Sequence, residues 1–459
     1  MIAFIGRVGE RLSGFTQRWI PDSWVVCMML TVVAMLLAVA GAGVGIDDAV
    51  LAWGDGMWSL LELAMQFTLA MVAAHACVSS RPVFRLLDRL ARVPDPGRPL
   101  QAVALVAAYS LVTAYMNWAL CLVASALFVP FVCRRNPRAD VRVLIAAAYI
   151  GLGTTWHGGL SGSGPLILAT PDNPLIRPAT GQPVIDRVIP ITETLFTSFN
   201  LLYLVVVSAV AVAALMAVHP RRNVVTLTPE QIDRIMPTVP VDESGPSSPA
   251  GRMESSRIWI VLAASLIVSW LGHSMVTRGF GATWTINAYN MVFLVAALLL
   301  QGRPSRLVRA IAAGTATTSG IILQFPLYAG IFGVINNTGL GAWLGELFVR
   351  IATTDTYPLV VYVYSGFVNL FVPSGGSKWM IEAPYLLPAA RELGVSATTT
   401  VLAYSYGDST TNLIQPFWAI PILTVTRLRF GDIVGYTGLV AVICFLVTAI
   451  AMLLVPANL

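Results

Sequence analysis

NLFVPSGGSKW (369–379) interrupts an apolar stretch with a proline, two glycines and two serines, and sets Lys378, the chain's one lysine, beside the break. Glycine in a helix interior costs roughly 1 kcal/mol and proline about 3. A broken backbone persists in hydrocarbon only where protein or water satisfies the freed N–H and C=O groups. An ionisable residue at such depth marks a functional site by default. The competing reading is a surface loop whose lysine anchors it at the interface. Apolar residues flank the break closely on both sides, which favours a re-entrant helical hairpin over 357–390.

The remainder of the chain agrees with a membrane setting. Of 459 residues, 56% are hydrophobic and 11% charged, and the mean hydropathy is +0.75; soluble domains carry about 25% charged residues. The net charge of +5 comes mostly from loop arginines, so it reports topology and not nucleic-acid binding. Cys27, Cys77, Cys121, Cys133 and Cys444 lie scattered in apolar runs without metal-type spacing. The first long apolar run, 23–45, reads as a spanning helix and not as a removable signal.

Arg7, Arg11 and Arg18 precede that run and place the N-terminus in the cytoplasm. Span 57–78 returns to an arginine-rich loop, 79–99, with a short interfacial helix expected over 81–92. Segment 100–133 has arginines at both ends and is too short for two full spans, which need about 40 residues. A hairpin with Asn117 at its tip is the economical solution; two short spans are the alternative. Segment 143–170 holds GTTWHGGLSGSGPL (153–166) and predicts a broken helix. Span 192–218 closes the first half.

Residues 219–256 carry six prolines and mixed charge and read as a flexible cytoplasmic linker, with TPEQ (228–231) capping a short helix. The second half, 257–459, has spans at 257–276, 286–302 and 307–335, an amphipathic stretch at 339–353, the hairpin 357–390, a broken helix at 397–424 containing YGDSTTNLIQPFW (406–418), and a last span at 432–455. Each half therefore has a hairpin with a central Asn followed by an interrupted span. Asn117 to His157 is 40 residues and Asn369 to Asp408 is 39. The arginine pattern opens the first hairpin to the cytoplasm and the second to the outside. That is an inverted repeat, the mark of a secondary transporter with its site where the repeats meet near the midplane. The expected fold is an all-α polytopic membrane protein with about nine transmembrane helices, two re-entrant hairpins and an external C-terminus.

WHGGLSGS (156–163), QFPLYAGI (324–331), NLFVPSGG (369–376) and TNLIQPFWAIP (411–421) resemble the short-chain fatty acid transporter family, carriers associated with acetoacetate and butyrate. WGDGMWSLLELAMQF (53–67) and SGSGPLILAT (161–170) extend the match over most of the chain. The resemblance implies the ion-transporter superfamily, a bacterial cytoplasmic membrane, and a homodimer working by an elevator motion. SKW (377–379) and GDSTTN (407–412) are instead similar to the related aminobenzoyl-glutamate transporters. They keep open a larger aryl or amino-acid conjugate as substrate.

A small carboxylate needs donors that replace its water. Broken helices offer free N–H groups at half-helix starts. Asn117, Trp118, Trp156, His157, Ser161, Ser163, Ser374, Gly375, Gly376, Ser377, Lys378 and Trp379 are the candidate substrate residues: hydroxyls for the anion, glycines for close approach, tryptophans for an alkyl wall. Lys378 either faces the anion or pairs with Glu382 one turn on. Asp408 is the coupling carboxylate, expected in a break with Thr410, Thr411 and Asn412 as oxygen ligands and Asn117 and Asn369 contributing from the hairpin tips. Those oxygens suit Na+, and a protonatable Asp suits H+; no resident cofactor or metal is expected. Asp408 as a half-helix cap is the alternative. His157 either relays a proton or is a hydrogen-bonded structural residue. An enzyme is disfavoured: HExxH and GxSxG are missing, and His157 with Ser161 is the only dyad-like spacing.

Overall fold

The computed structural model describes residues 23–178, 182–220, 222–236, 248–415, 418–419, 422–423 and 428–459. Arg7, Arg11, Arg18, Arg427 and linker residues 237–247 lie outside them. Among the described residues every regular element is a helix. Seven of these helices are long and apolar enough to cross a membrane. Ser198–Val218 and Arg257–Arg278 turn Leu202, Val205, Val261 and Leu266 outward, as lipid-facing helices do. Arg81–Leu90 and Leu340–Ile351 are the short helices in the two stretches expected to be interfacial.

Segment 100–133 folds as two helices, Pro99–Met116 and Trp118–Arg135, packed on each other with Asn117 alone between them. Asn117 leaves helical geometry, and its Oδ1 accepts from the N–H groups of Ala119 (2.8 Å) and Leu120 (3.0 Å). The Trp118 N–H donates to Ser161 Oγ at 3.0 Å. These bonds occupy the donors that a helix start leaves open. In the second half Tyr357–Asn369 and Gly375–Glu392 are joined through 370–374. Ser374 stands before the second helix in extended backbone, and its side chain makes no cap; its Oγ is bonded to Ser377 Oγ.

The span after the first hairpin is interrupted. Val141–Tyr149 passes through a 3₁₀ turn, Ile150–Gly153, into irregular backbone over 154–162 before Ser163–Ala169 resumes. Its counterpart departs from expectation. Ala397–Asn412 is one continuous helix, Asp408 lies inside it, and the helix ends only at 413–415. Asp408 therefore caps no half-helix. Gly407 and the threonines favour a break, but tertiary packing overrides that preference. The helix lies so close to Tyr357–Asn369 that a Cβ on Gly407 would stand 2.2 Å from the Tyr362 carbonyl oxygen. The first half repeats this contact, since a Cβ on Gly151 would stand 2.2 Å from the Ser110 carbonyl oxygen.

The polar stretch 219–256 is not free along its first part. The Asp140 carboxylate, fully buried, accepts from the Val225 N–H (2.9 Å) and from Arg142 Nη2 (2.7 Å). The Asp140 N–H donates to His219 Nε2 at 3.1 Å. Thr228 and Gln231 form a capping box at the start of Pro229–Ile235. This part of the stretch is an anchored strap on the first half, because a buried carboxylate needs the donors it supplies.

Candidate functional site

Four charged or titratable side chains from both halves converge in the interior. His157 Nδ1 lies 3.0 Å from Asp408 Oδ2, and Lys378 Nζ lies 3.1 Å from Asp408 Oδ1. Neither contact has ideal hydrogen-bond geometry; the one with Lys378 is an ion-pair contact, and the one with His157 is an imidazole–carboxylate contact. Glu382 Oε1 is 3.9 Å from the same ammonium, and neither of its oxygens has a hydrogen-bond partner. All four side chains are buried. Of the two pairings open to Lys378, the one with Asp408 is the shorter.

The second hairpin positions Lys378. Its Nζ donates to the carbonyl (2.9 Å) and hydroxyl (2.7 Å) of Ser365 and stands 4.4 Å from the centre of the Tyr404 ring. The irregular stretch of the first half presents His157. Gly164 N–H points at its Nε2 (3.4 Å), which puts the ring proton on Nδ1, toward Asp408. Trp156 stacks on the imidazole at 4.5 Å between centroids. His157 is thus neither isolated nor paired with Ser161, whose Oγ takes the Trp118 N–H.

Beside this cluster is a cavity of about 60 Å³. Ser163, Ser374, Gly375 and Gly376 give its polar side, and Trp118, Trp156 and Trp418 its aromatic wall, with Phe67, Ile321 and Phe325 completing it. The start of the 18-residue helix Gly375–Glu392 therefore faces the cavity, with first-turn N–H groups that have no intrahelical acceptor. Gly375 is the partition between cavity and charges. A Cβ there would come within 2.7 Å of His157 Cε1 and 3.2 Å of Asp408 Oδ2.

Several expected site residues serve elsewhere. Trp379 packs on Tyr404 (4.7 Å) and does not line the cavity. Asn117 spends its Oδ1 on its own helix, so it is not placed to ligate an ion with Asp408. Thr410 and Thr411 turn their hydroxyls onto the carbonyls of Tyr406 (2.8 Å) and Gly407 (3.3 Å) of their own helix. Asn412 Oδ1 accepts from Asn369 Nδ2 at 2.8 Å, and the same Nδ2 reaches the Asp408 carbonyl at 2.8 Å. Asn369 is a strut between the hairpin and the Asp408 helix. Trp418, Ser365 and Tyr404 were not among the expected residues. Trp418 sits within the QPFW run, and Tyr404 lies one helical turn before Asp408.

Comparisons with known proteins agree with this architecture. The family model described as "Short chain fatty acid transporter" matches residues 4–455. A protein of Escherichia coli (strain K12) is 38% identical over 437 residues, covering 94% of this chain and 96% of the relative. One of Haemophilus influenzae (strain ATCC 51907 / DSM 11121 / KW20 / Rd) is 34% identical over 433 residues, with 94% and 96% covered. Both are named as short-chain fatty acid transporters. In fold, the chain is similar to the YdaH transporter of Alcanivorax borkumensis (TM-score 0.58, 17% identity, 85% of this chain and 84% of that one). It is also similar to MtrF of Neisseria gonorrhoeae, described among antimetabolite efflux pumps (TM-score 0.58, 14% identity, 96% and 97% covered).

Proposed function

This chain belongs to the short-chain fatty acid transporter family, an integral membrane transporter and not an enzyme, and we propose that it carries one small monocarboxylate together with one cation, a proton, across the bacterial cytoplasmic membrane. The observation that carries this reading is the contact of Lys378 and His157 with Asp408 immediately behind a small cavity at a helix start. A core selected for stability alone gains little from such a cluster, because replacing buried ion pairs with apolar groups is often neutral or stabilising. In a membrane interior its retention points to function.

The charge balance gives the coupling. With Asp408 ionised, Lys378 is neutralised in place. Protonation of Asp408 removes that nearer partner and leaves Lys378 opposed only by Glu382 at 3.9 Å, so that its positive field strengthens beside the N–H groups of the Gly375–Glu392 start. A substrate carboxylate entering the cavity then restores the balance. One proton thereby admits one anion, and release of either weakens the hold on the other. The hydroxyls of Ser163 and Ser374 and the backbone at Gly375 and Gly376 receive the carboxylate; the tryptophan wall receives the alkyl chain. The cavity holds on the order of a few water molecules, a size that suits a short fatty acid and would require the three tryptophans to move for an aryl conjugate.

The two hairpins form the inverted repeat of this reading, with the N-terminus cytoplasmic and the C-terminus external, and an elevator motion in a homodimer supplies alternating access. The test is uptake of a labelled short-chain acid into proteoliposomes, with protein-free vesicles setting the passive background. Accumulation should collapse with a protonophore and persist when sodium is replaced. Sodium-dependent accumulation indifferent to the protonophore would overturn proton coupling.

A further inference from the structure

Away from the transport site, helix Arg81–Leu90 and the end of Trp118–Arg135 enclose an open cavity of about 790 Å³. Its wall carries Arg81, Arg85, Arg89, Arg92, Arg134 and Arg135 against a single acid, Asp88. Asp88 is already engaged, by Arg92 and by Arg135 at 3.2 Å. Burial acts to raise its carboxyl, but the hydrogen bonds and charges of those two arginines outweigh that and hold it below the usual carboxylate range. Arg92 and Arg135 are thus paired through one charge. Arg85, Arg89 and Arg134 have no acidic partner among the described residues. Guanidinium groups crowded around one hollow repel one another and draw an anion toward it.

The floor of the hollow is apolar. The Phe84 and Phe131 rings lie 6.5 Å apart, and Met236 of the anchored strap completes the lining. Trp118–Arg135 is apolar along its length until the paired arginines at its end. The cavity therefore sits at the level where the hydrocarbon stops. Charge above an apolar floor at that depth matches an amphiphile with a phosphate head, and bidentate guanidinium forks match phosphate oxygens.

We infer that this cavity is a binding site for the headgroup of an anionic phospholipid, one carrying two phosphates for preference. The inference rests only on the chain's being embedded in a membrane, not on the substrate or the coupling ion.

Native mass spectrometry of the full-length protein in neutral detergent, titrated with cardiolipin, phosphatidylcholine or pyrophosphate, tests it. Cardiolipin should bind far more tightly than phosphatidylcholine, and its affinity should fall as salt rises. Each surface arginine near an anionic lipid is worth roughly a five-fold change in affinity, so Arg85→Gln/Arg89→Gln/Arg134→Gln together should weaken cardiolipin on the order of a hundred-fold. Replacing the same three by Lys should keep most of the binding, because the charge remains; this variant also guards against a folding defect in the first. Equal affinity for phosphatidylcholine, or undiminished cardiolipin binding by the Gln variant, overturns the site. Pyrophosphate binding as tightly as the lipid overturns the lipid assignment.

Discussion

The first hairpin closes on an uncharged asparagine whose side chain is spent on the start of its own helix, whereas the second leaves its helix start without a side-chain cap and sets a lysine in the first turn. Both lie against the following span in the same way, with Ser110 and Ser365 each donating to a carbonyl of it, Ala148 and Tyr404 respectively, at 2.8 Å. Both also meet that span through a glycine in backbone contact, Gly151 and Gly407. The packing is shared and the chemistry is not. One hairpin caps its own turn through Asn117 Oδ1 and places no ionisable group at its tip, although Asn117 Nδ2 has no hydrogen-bond partner. The other carries unsatisfied donors and a buried charge, and it is the one whose start faces the cavity. The two hairpins share a packing scheme, and the ionisable part of the site lies mostly on and beside the second, with His157 reaching over from the first half.

Substitutions separate the two hairpins by size of effect. The largest is expected at Asp408. Asp408→Ala leaves Lys378 and His157 buried without their carboxylate, and breaking a buried pair costs about 3–5 kcal/mol. The apparent melting temperature in detergent should drop markedly and recover when Lys378→Met is added. A double variant no more stable than the single would break the pairing. Next, Lys378→Met alone should weaken substrate binding roughly 10- to 100-fold, the range of a lost charge-assisted contact, measured by calorimetric titration. Gly375→Ala should follow. Its methyl would press on the His157 ring, at an overpacking cost of about 1–3 kcal/mol, and should reduce uptake more than it reduces stability. The smallest effect belongs to the first hairpin: Asn117→Ala should cost about 1 kcal/mol of stability through the lost cap and leave substrate affinity unchanged. A large loss of affinity there would mean that the hairpins are not divided as described.

Much of this division could be read from the chain before any coordinates. Asn117 and the PSGG run mark the two helix interruptions because caps, proline and glycine act locally. His157, Lys378 and Asp408 stand out as ionisable groups in apolar surroundings, although nothing in the linear chain states that 157 and 408 touch. Only the matched spacing of the two halves hints at it. Asp408 was expected in a break because Gly407 and three threonine or serine neighbours form helix poorly. The packed contact with Tyr357–Asn369 decides otherwise, and such contacts are not local. Trp418, Ser365 and Tyr404 were missed for the same reason. Each is an ordinary apolar-run residue until folding sets it against the cavity or the lysine.

The central claim is that Asp408 exchanges its charge with the substrate's. The most direct measurement is labelled short-chain acid uptake under an imposed pH gradient in proteoliposomes carrying the wild-type chain or Asp408→Asn, corrected for protein-free vesicles. The initial rate of uptake by the wild type should exceed that of protein-free vesicles and rise with the gradient, and the variant's rate above that background should not respond to the gradient. An equal response to the gradient by Asp408→Asn would contradict the account.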